Sequence, residues 1–195
     1  MEKIIEVAKK YVGYKEKPNN SGFYNSLFEQ KMKQVGFYKG APWCAFFAIL
    51  CFAEAYPELY LLYHRHFSGN SQSMFRAFQS LGMTSDTPSI GSLMIFRQGT
   101  SSISGHTAIV TAIGNRNNVL TIEGNTNSTG SRNGDSVCVR SRSLKTGTTG
   151  LNPIGFINIK PAGESKVTTL QKSDAQIIGS KTTNKTNTTT HENEK

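Results

Sequence analysis

Three short segments carry side chains whose chemistry together suits the cleavage of an amide bond. The first places Cys44 at the expected start of an apolar helix, and the second places His106 at the start of an expected strand. Glu123 and Asn125 follow on the next strand. A thiol nucleophile, an imidazole that takes and returns its proton, and a polar group that orients the imidazole are the parts of a nucleophilic hydrolase. These residue types predict a cysteine hydrolase.

Position distinguishes Cys44 from the other two cysteines. Free backbone N–H groups at a helix start favour a thiolate and can hold the oxyanion of an acyl-transfer intermediate. Cys51 in mid-helix and Cys138 on an alternating strand are interpreted as small buried hydrophobic residues. On one helix, the Cα atoms of Cys44 and Cys51 would lie about 10.5 Å apart, too far for a disulfide or a shared zinc ion. We therefore expect no metal site, and a thiol mechanism of this kind needs no organic cofactor.

The strand pairing decides whether His106 can meet its partners. With a four-residue hairpin loop at 115–118, the side chains of His106, Glu123 and Asn125 project to the same side of the sheet. Asn125 is then the diagonal neighbour of His106, and Glu123 lies further along unless twist or a bulge draws it closer. A three- or five-residue loop would put His106 on the opposite face. The ordinary alternative for His106 is a structural role.

The elements that position these residues divide the chain into two halves. Helical periodicity fills the first half, and alternating apolar patterns between turn residues fill the second. The third helix is apolar on nearly every face and should be the central buried helix, with Pro42 in its first turn and Pro57 ending it. Expected helices lie within 4–13, 21–35 and 42–56 and after 70, and expected strands at 93–97, 107–113, 119–123, 136–140 and 154–159. Helices followed by an antiparallel sheet predict an α+β fold.

Length and composition bound the organisation of the chain. The 195 residues allow one domain of ordinary size, which we expect over 1–160. Residues 161–195 are rich in Thr, Asn and Lys and predict a disordered tail. The formal net charge of +9 favours polyanionic surroundings such as the acid-bearing polymers of a bacterial wall, although solubility alone would also explain it. The sequence has no basic helix of the kind that indicates nucleic-acid binding.

The N-terminal segment and the apolar runs bear on location. Residues 1–17 lack the apolar core of a signal peptide, and the longest apolar run, 45–53, is too short to cross a bilayer. We expect a monomer that is made in the cytoplasm and does not insert into membranes. If it acts outside the cytoplasm, lysis or a dedicated export route must let it out.

The motifs resemble those of the CHAP family, the cysteine- and histidine-dependent amidohydrolases and peptidases that cut bacterial peptidoglycan. The resemblance covers roughly 1–160. The family's Trp-Cys-Ala helix start matches 43–45, its Gly-His strand start matches 105–106, and its Glu-Gly-Asn segment matches 123–125. The usual Gly-Asp strand start appears as Gly91-Ser92, so Ser92 stands where the family has an aspartate.

The resemblance implies a papain-like core, with a thiol-bearing helix packed on an antiparallel sheet. It implies Cys44 as nucleophile, His106 as base, Glu123 as the residue that orients the base and Asn125 as a second polar support. Trp43 would line the substrate groove or, alternatively, pack the helix start.

The implied substrate is the peptide part of peptidoglycan. The bond is either the amide that joins muramic acid to L-alanine or a peptide bond of the stem or cross-bridge. A phage lysin and a delivered toxin both fit. Two alternatives stay open: a deamidase or acyltransferase on the same scaffold, and a non-catalytic wall-binding or virion structural module.

Overall fold

The computed structural model describes residues 2–115, 117–127 and 134–160. Within these ranges five α-helices and two short 3-10 helices precede or flank one sheet, which confirms the predicted α+β class. The helices are α1 (Glu2–Lys10), α2 (Ser26–Gln34), α3 (Cys44–Ala55), α4 (Pro57–Tyr63) and α5 (Ser71–Ser80). The strands are β1 (Thr84–Ser85), β2 (Leu93–Gln98), β3 (Gly105–Ile113), β4 (Asn118–Thr126), β5 (Ser136–Ser143) and β6 (Leu151–Ile157).

One compact unit spans Met1–Ile159. The predicted tail, 161–195, lies outside the described residues. No helix within the described ranges has both the length and the apolar character that crossing a membrane requires.

The six strands form an antiparallel sheet in the order β1-β6-β2-β3-β4-β5. Helix α3 packs against β3 and β4, and α1 packs against α3. Ten of the twelve residues of α3 are buried, as its nearly uniform apolar sequence predicts. The helix that begins at Cys44 therefore lies directly on the strands that carry the candidate base and its partners.

The expected start of α3 is wrong in detail, and its expected end is confirmed. The helix begins at Cys44 and not at Pro42, so the thiol lies on its first residue. Pro57 does end α3, but it also begins α4, where its fixed φ angle and missing N–H suit the first turn. The start of α5 agrees with the sequence, because Asn70 caps it and its Oδ1 accepts a hydrogen bond from the backbone N–H of Ser73 at 2.9 Å.

The hairpin between β3 and β4 differs from the expected one. Ile113 pairs with Val119, and the N–H of Gly114 donates to the carbonyl of Asn118, so the loop has three residues. That loop length was expected to turn His106 to the opposite face.

A β-bulge reverses the effect of the shorter loop. The register shifts between Val110 and Ala112, so β3 holds one extra residue, and Val110 pairs with Thr121. Shortening the loop by one residue turns the side chains of β3 to the other face of the sheet. The extra residue in the bulge turns the side chains beyond it back again. His106 thus shares a face with Glu123, but the register is two residues away from the expected one. Glu123 takes the diagonal position that was predicted for Asn125.

Candidate active site

The thiol of Cys44 lies where the first turn of α3 meets β3 and α5. Only 4 % of the residue is exposed. Its Sγ atom is 4.0 Å from the Oγ of Ser71, the first residue of α5. The backbone N–H groups in the first turn of α3 have no partner within the helix, so they are available to an anion.

Opposing influences act on the Cys44 thiol. Burial is the largest and raises its pKa, because it disfavours the charged form. The charge and hydrogen bonding of His106, the backbone of Thr107 and the side chain of Ser71 act against burial and together bring the pKa below its usual value. By contrast, burial raises the pKa of Cys51 well above its usual value. The thiol at the helix start is therefore the one poised to form a thiolate.

His106 is the second residue of β3 and is fully buried. Its Nε2 lies 2.8 Å from the Oε2 of Glu123. The other ring nitrogen, Nδ1, is buried, and among the described residues it makes no hydrogen bond of normal geometry. Because Nε2 is engaged by Glu123, Nδ1 is the nitrogen left to exchange a proton with Cys44.

The pKa of His106 lies near 9, although burial alone would lower it. The negative charge and hydrogen bonding of Cys44 come first among the causes that raise it, and Glu123 adds to them. A thiol with a lowered pKa beside an imidazole with a raised pKa favours the thiolate–imidazolium pair at neutral pH.

The preceding glycine has a steric reason. A Cβ atom on Gly105 would lie 2.4 Å from the backbone oxygen of Phe96 on β2. The Gly-His pair thus lets β3 approach β2 closely at the point where the imidazole must be placed.

Glu123 lies between two cationic groups. The Nε of Arg142 donates to its Oε1 at 2.7 Å, the Nη2 of Arg142 contacts its Oε2, and the hydroxyl of Thr121 donates to Oε1 at 2.5 Å. Burial raises the pKa of Glu123, but the hydrogen bonds from Arg142 and His106 outweigh it and bring the pKa to about 2. The carboxylate is therefore charged at any pH at which the site operates.

Sequence reasoning missed Arg142. The strand was expected to end at Arg140, whereas β5 runs to Ser143 and pairs Arg142 with Val119. The alternating pattern of 139–143 was the signal available, because it carries the strand two residues further.

Asn125 lies at the end of the regular part of β4. It is fully buried, with a positive φ of 55°, and its carbonyl accepts a hydrogen bond from the N–H of Gly134 at 3.0 Å. The β4–β5 register shifts between Glu123 and Thr126, which places Asn125 inside a bulge.

Trp43 is fully buried and caps the start of α3. Its Nε1 donates to the Oε2 of Glu16 at 2.5 Å, and its ring packs edge-on against Phe23 with centroids 5.0 Å apart. A side chain so enclosed cannot line an open groove, so its observed position is the alternative one, packing of the helix start. A Cβ on Gly124 would lie 2.4 Å from the Trp43 ring, which explains the glycine between Glu123 and Asn125.

Ser92 stands in place of the expected aspartate and is almost fully buried. Its hydroxyl donates to the carbonyl of Ser89 at 2.6 Å and closes the turn that leads into β2. The serine therefore has a local structural partner, and among the described residues its hydroxyl contacts neither the thiol nor the imidazole.

The family model of the CHAP domain matches residues 36–125. This span includes the thiol, the imidazole, the carboxylate and the amide described above. Over this span the chain is similar to the CHAP domain. Comparison with curated proteins and with solved structures gave no match.

The CHAP domain is that of a hydrolase family of the amidase and peptidase type acting on peptidoglycan, and its papain-like fold agrees with a helix packed on an antiparallel sheet. Arg142 lies beyond the matched span. Within the described part of the chain, no group of three or more His, Cys, Asp and Glu side chains is arranged to hold a metal ion.

Proposed function

We propose that this domain hydrolyses an amide bond in the peptide part of bacterial peptidoglycan, with Cys44 as nucleophile and His106 as proton carrier. The observation that supports this most is the buried pair of His106 and Glu123 beside a thiol on the first residue of a helix. A structural histidine does not need a carboxylate on one nitrogen and an open position towards a thiol on the other.

Acylation begins from the thiolate–imidazolium pair. The sulfur of Cys44 attacks the carbonyl carbon of the scissile amide, and the carbonyl oxygen becomes an oxyanion. Backbone N–H groups at the start of α3 stabilise that charge. The C–N bond then breaks as His106 gives its proton to the leaving amine, which leaves a thioester and a neutral imidazole.

Deacylation uses the same groups in reverse. The neutral imidazole of His106 takes a proton from water, and the resulting hydroxide attacks the thioester carbonyl. The C–S bond breaks, the product leaves as a carboxylic acid, and the thiolate–imidazolium pair is restored. Glu123 stays charged throughout, holds the ring by Nε2 and favours its cationic form.

Access to the sulfur is narrow. Cys44 is 4 % exposed, whereas His106 and Glu123 have no exposed surface. An extended peptide stem presents its carbonyl to such an opening more readily than a folded protein does, which favours wall peptides over protein substrates. The net charge of +9 provides long-range attraction to the anionic polymers of a wall.

Digestion of purified cell walls tests the proposal. The intact chain should release soluble fragments, and the Cys44→Ala variant should lose nearly all turnover while its circular dichroism spectrum stays unchanged. Cys51→Ala, which alters a buried cysteine of the same helix, is the matched control and should remain active. Mass spectrometry of the fragments then assigns the bond, since an amidase frees the N-terminus of L-alanine and an endopeptidase frees an amine within the stem or cross-bridge.

The alternatives predict other outcomes. A wall-binding module would sediment with walls equally well with and without Cys44, and would release no fragments. A deamidase would release ammonia without solubilising the wall. Either result from a folded chain would overturn the proposal.

A further inference from the structure

We infer that Ser71 is a further catalytic residue, whose hydroxyl donates a hydrogen bond to the Cys44 thiolate and is held in that orientation by Thr107. That Ser71 acts in catalysis rests on the proposed function. That its side chain stabilises the charged sulfur, in addition to His106, can be tested without any substrate.

The geometry brings the Ser71 hydroxyl between two groups. Its Oγ is 4.0 Å from the Sγ of Cys44 and accepts a hydrogen bond from the Oγ1 of Thr107 at 2.7 Å. Because Thr107 supplies its own proton to this bond, the proton of Ser71 is free to point elsewhere. The Sγ of Cys44 is the other polar atom in contact with this hydroxyl. A charged acceptor draws a donor closer than a neutral one does, so the contact should shorten when the thiolate forms.

The hydroxyl of Ser71 is not used to cap α5. Asn70 performs that role, with its Oδ1 on the N–H of Ser73. Ser71 is nonetheless 4 % exposed and Thr107 is 1 % exposed, so both hydroxyls are buried beside the sulfur. Burying a polar group without a hydrogen bond is costly. The hydroxyl of Thr107 donates to that of Ser71, so the proton of Ser71 still needs an acceptor.

The sequence places this pair on two elements that the mechanism already needs. Thr107 directly follows His106 on β3, and its backbone also contributes to the lowering of the Cys44 pKa. Ser71 begins α5, which packs against β2 and β3. The start of α5 thus meets the start of α3 at the sulfur, and the Ser71 side chain acts in the same direction as the first-turn N–H groups.

Titration of Cys44 tests the inference without any substrate. The thiolate is followed by its ultraviolet absorbance, taken as the difference between each protein and the same protein carrying Cys44→Ala. Ser71→Ala should raise the pKa of Cys44 by about one unit, the size expected for losing one hydrogen bond to a charged group. Alkylation by iodoacetamide at a pH below the pKa of Cys44 in the parent, located on Cys44 by peptide mapping, should slow by about tenfold.

Two further variants separate a role at the sulfur from a role in folding. Ser71→Thr keeps the hydroxyl, so the pKa of Cys44 should stay close to that of the parent. Thr107→Val keeps the Ser71 hydroxyl but frees its orientation, and should give a smaller shift than Ser71→Ala. Ser73→Ala removes a half-buried hydroxyl from the same helix, one that accepts from Arg76, and should leave the titration unchanged.

The readouts distinguish this inference from the proposed function. An unchanged Cys44 titration in folded Ser71→Ala overturns the inference, whether or not walls are digested. A shifted titration in a chain that releases no wall fragments supports the role of Ser71 and overturns the wall hydrolase. If Ser71→Ala does not fold, Thr107→Val decides: no shift in that variant overturns the inference, and a shift supports it.

Discussion

The guanidinium of Arg142 donates two hydrogen bonds to the Glu123 carboxylate, from Nε to Oε1 at 2.7 Å and from Nη2 to Oε2. The same Oε2 accepts from Nε2 of His106 at 2.8 Å. The guanidinium also lies over the ring of Phe96, 5.6 Å from its centroid. A planar fork on a carboxylate fixes its orientation as well as its charge. The guanidinium thus controls how Glu123 is presented to the imidazole.

Replacement of Arg142 by Met should shift the acid limb of the pH–activity profile to higher pH. Arg142 is first among the causes that hold the pKa of Glu123 at about 2, and burial, which raises it, remains after the change. The pKa of Glu123 therefore rises, and the protonated carboxyl forms at a higher pH than in the parent. Initial rates of wall hydrolysis across the acid range measure the shift.

The same variant should lose stability. Removing one partner of a buried ion pair leaves the other charge uncompensated, at a cost of about 3–5 kcal/mol. Methionine fills similar space beside Phe96 without the charge, so most of the loss is electrostatic. Lys145→Met, which removes an exposed charge just after β5, is the matched control. An acid limb that stays in place in Arg142→Met would contradict the role given to the guanidinium.

Glu123→Ala should cost more activity than Asn125→Ala. The carboxylate contacts His106 directly, and the loss of an orienting partner of a general base lowers turnover by roughly 10²–10⁴-fold. Asn125 occupies a positive φ of 55°, which alanine tolerates poorly. Asn125→Gly therefore serves as a control, since it removes the amide without backbone strain. Steady-state rates on walls give the ranking, and the reverse order would assign the orienting role to the amide.

The parts of the site that sequence could predict depend on local signals. An apolar run after turn residues predicts a helix start within two residues of Cys44, and a glycine before an apolar run predicts a strand start at His106. Both follow from periodicity and need no knowledge of tertiary contacts.

The parts that sequence could not predict depend on long-range pairing. The bulge at Thr111 sets the β3–β4 register, and nothing in the side-chain types around it indicates an extra residue. Arg142 reaches Glu123 across a strand pair, so its partner is defined only once that register is known. The left-handed backbone of Asn125 likewise follows from the bulge on β4 and not from its neighbours in sequence.

Gly124→Ala should destabilise the domain and lower activity further than the stability loss explains. The added Cβ would lie 2.4 Å from the Trp43 ring and 2.7 Å from the Cβ of Phe47, so α3 or β4 must move. Overpacking of this kind costs about 1–3 kcal/mol. A shift of α3 also displaces the thiol from the imidazole. Gly147→Ala, whose Cβ would meet only atoms 3.9 Å away, is the control. Urea unfolding and wall hydrolysis together measure the two effects.

The three cysteines should react with iodoacetamide in a fixed order at neutral pH. Cys44 should react first because its pKa is lowered, although it is nearly buried. Cys138 was expected to be buried but is only half-buried, and its raised pKa places it second. Cys51 should be last, since burial both shields it and raises its pKa. Peptide mapping over time gives the order, and equal rates for Cys44 and Cys138 would exclude an activated thiolate.

Glu16 should make stability fall as pH rises from acid to neutral. Burial raises its pKa to about 7, against a lowering hydrogen bond from Trp43 and a raising influence of Asp135. The amide of Asn20, oriented with its nitrogen towards Glu16, is the other polar group that faces it. Between the usual value of 4.5 and about 7, the unfolded chain has lost this proton while the folded chain keeps it. Stability contributed by the protonated form is therefore present below 4.5 and lost as pH rises to about 7.

Glu16→Gln isolates this contribution because it keeps an acceptor for Trp43 and cannot titrate. The melting temperature of the variant minus that of the parent should therefore increase as the pH rises from acid to neutral. Glu58→Gln, which alters a carboxylate in the first turn of α4, is the control and should track the parent. Identical pH dependence of melting in the parent and Glu16→Gln would mean that Glu16 is already ionised in the folded protein at acid pH.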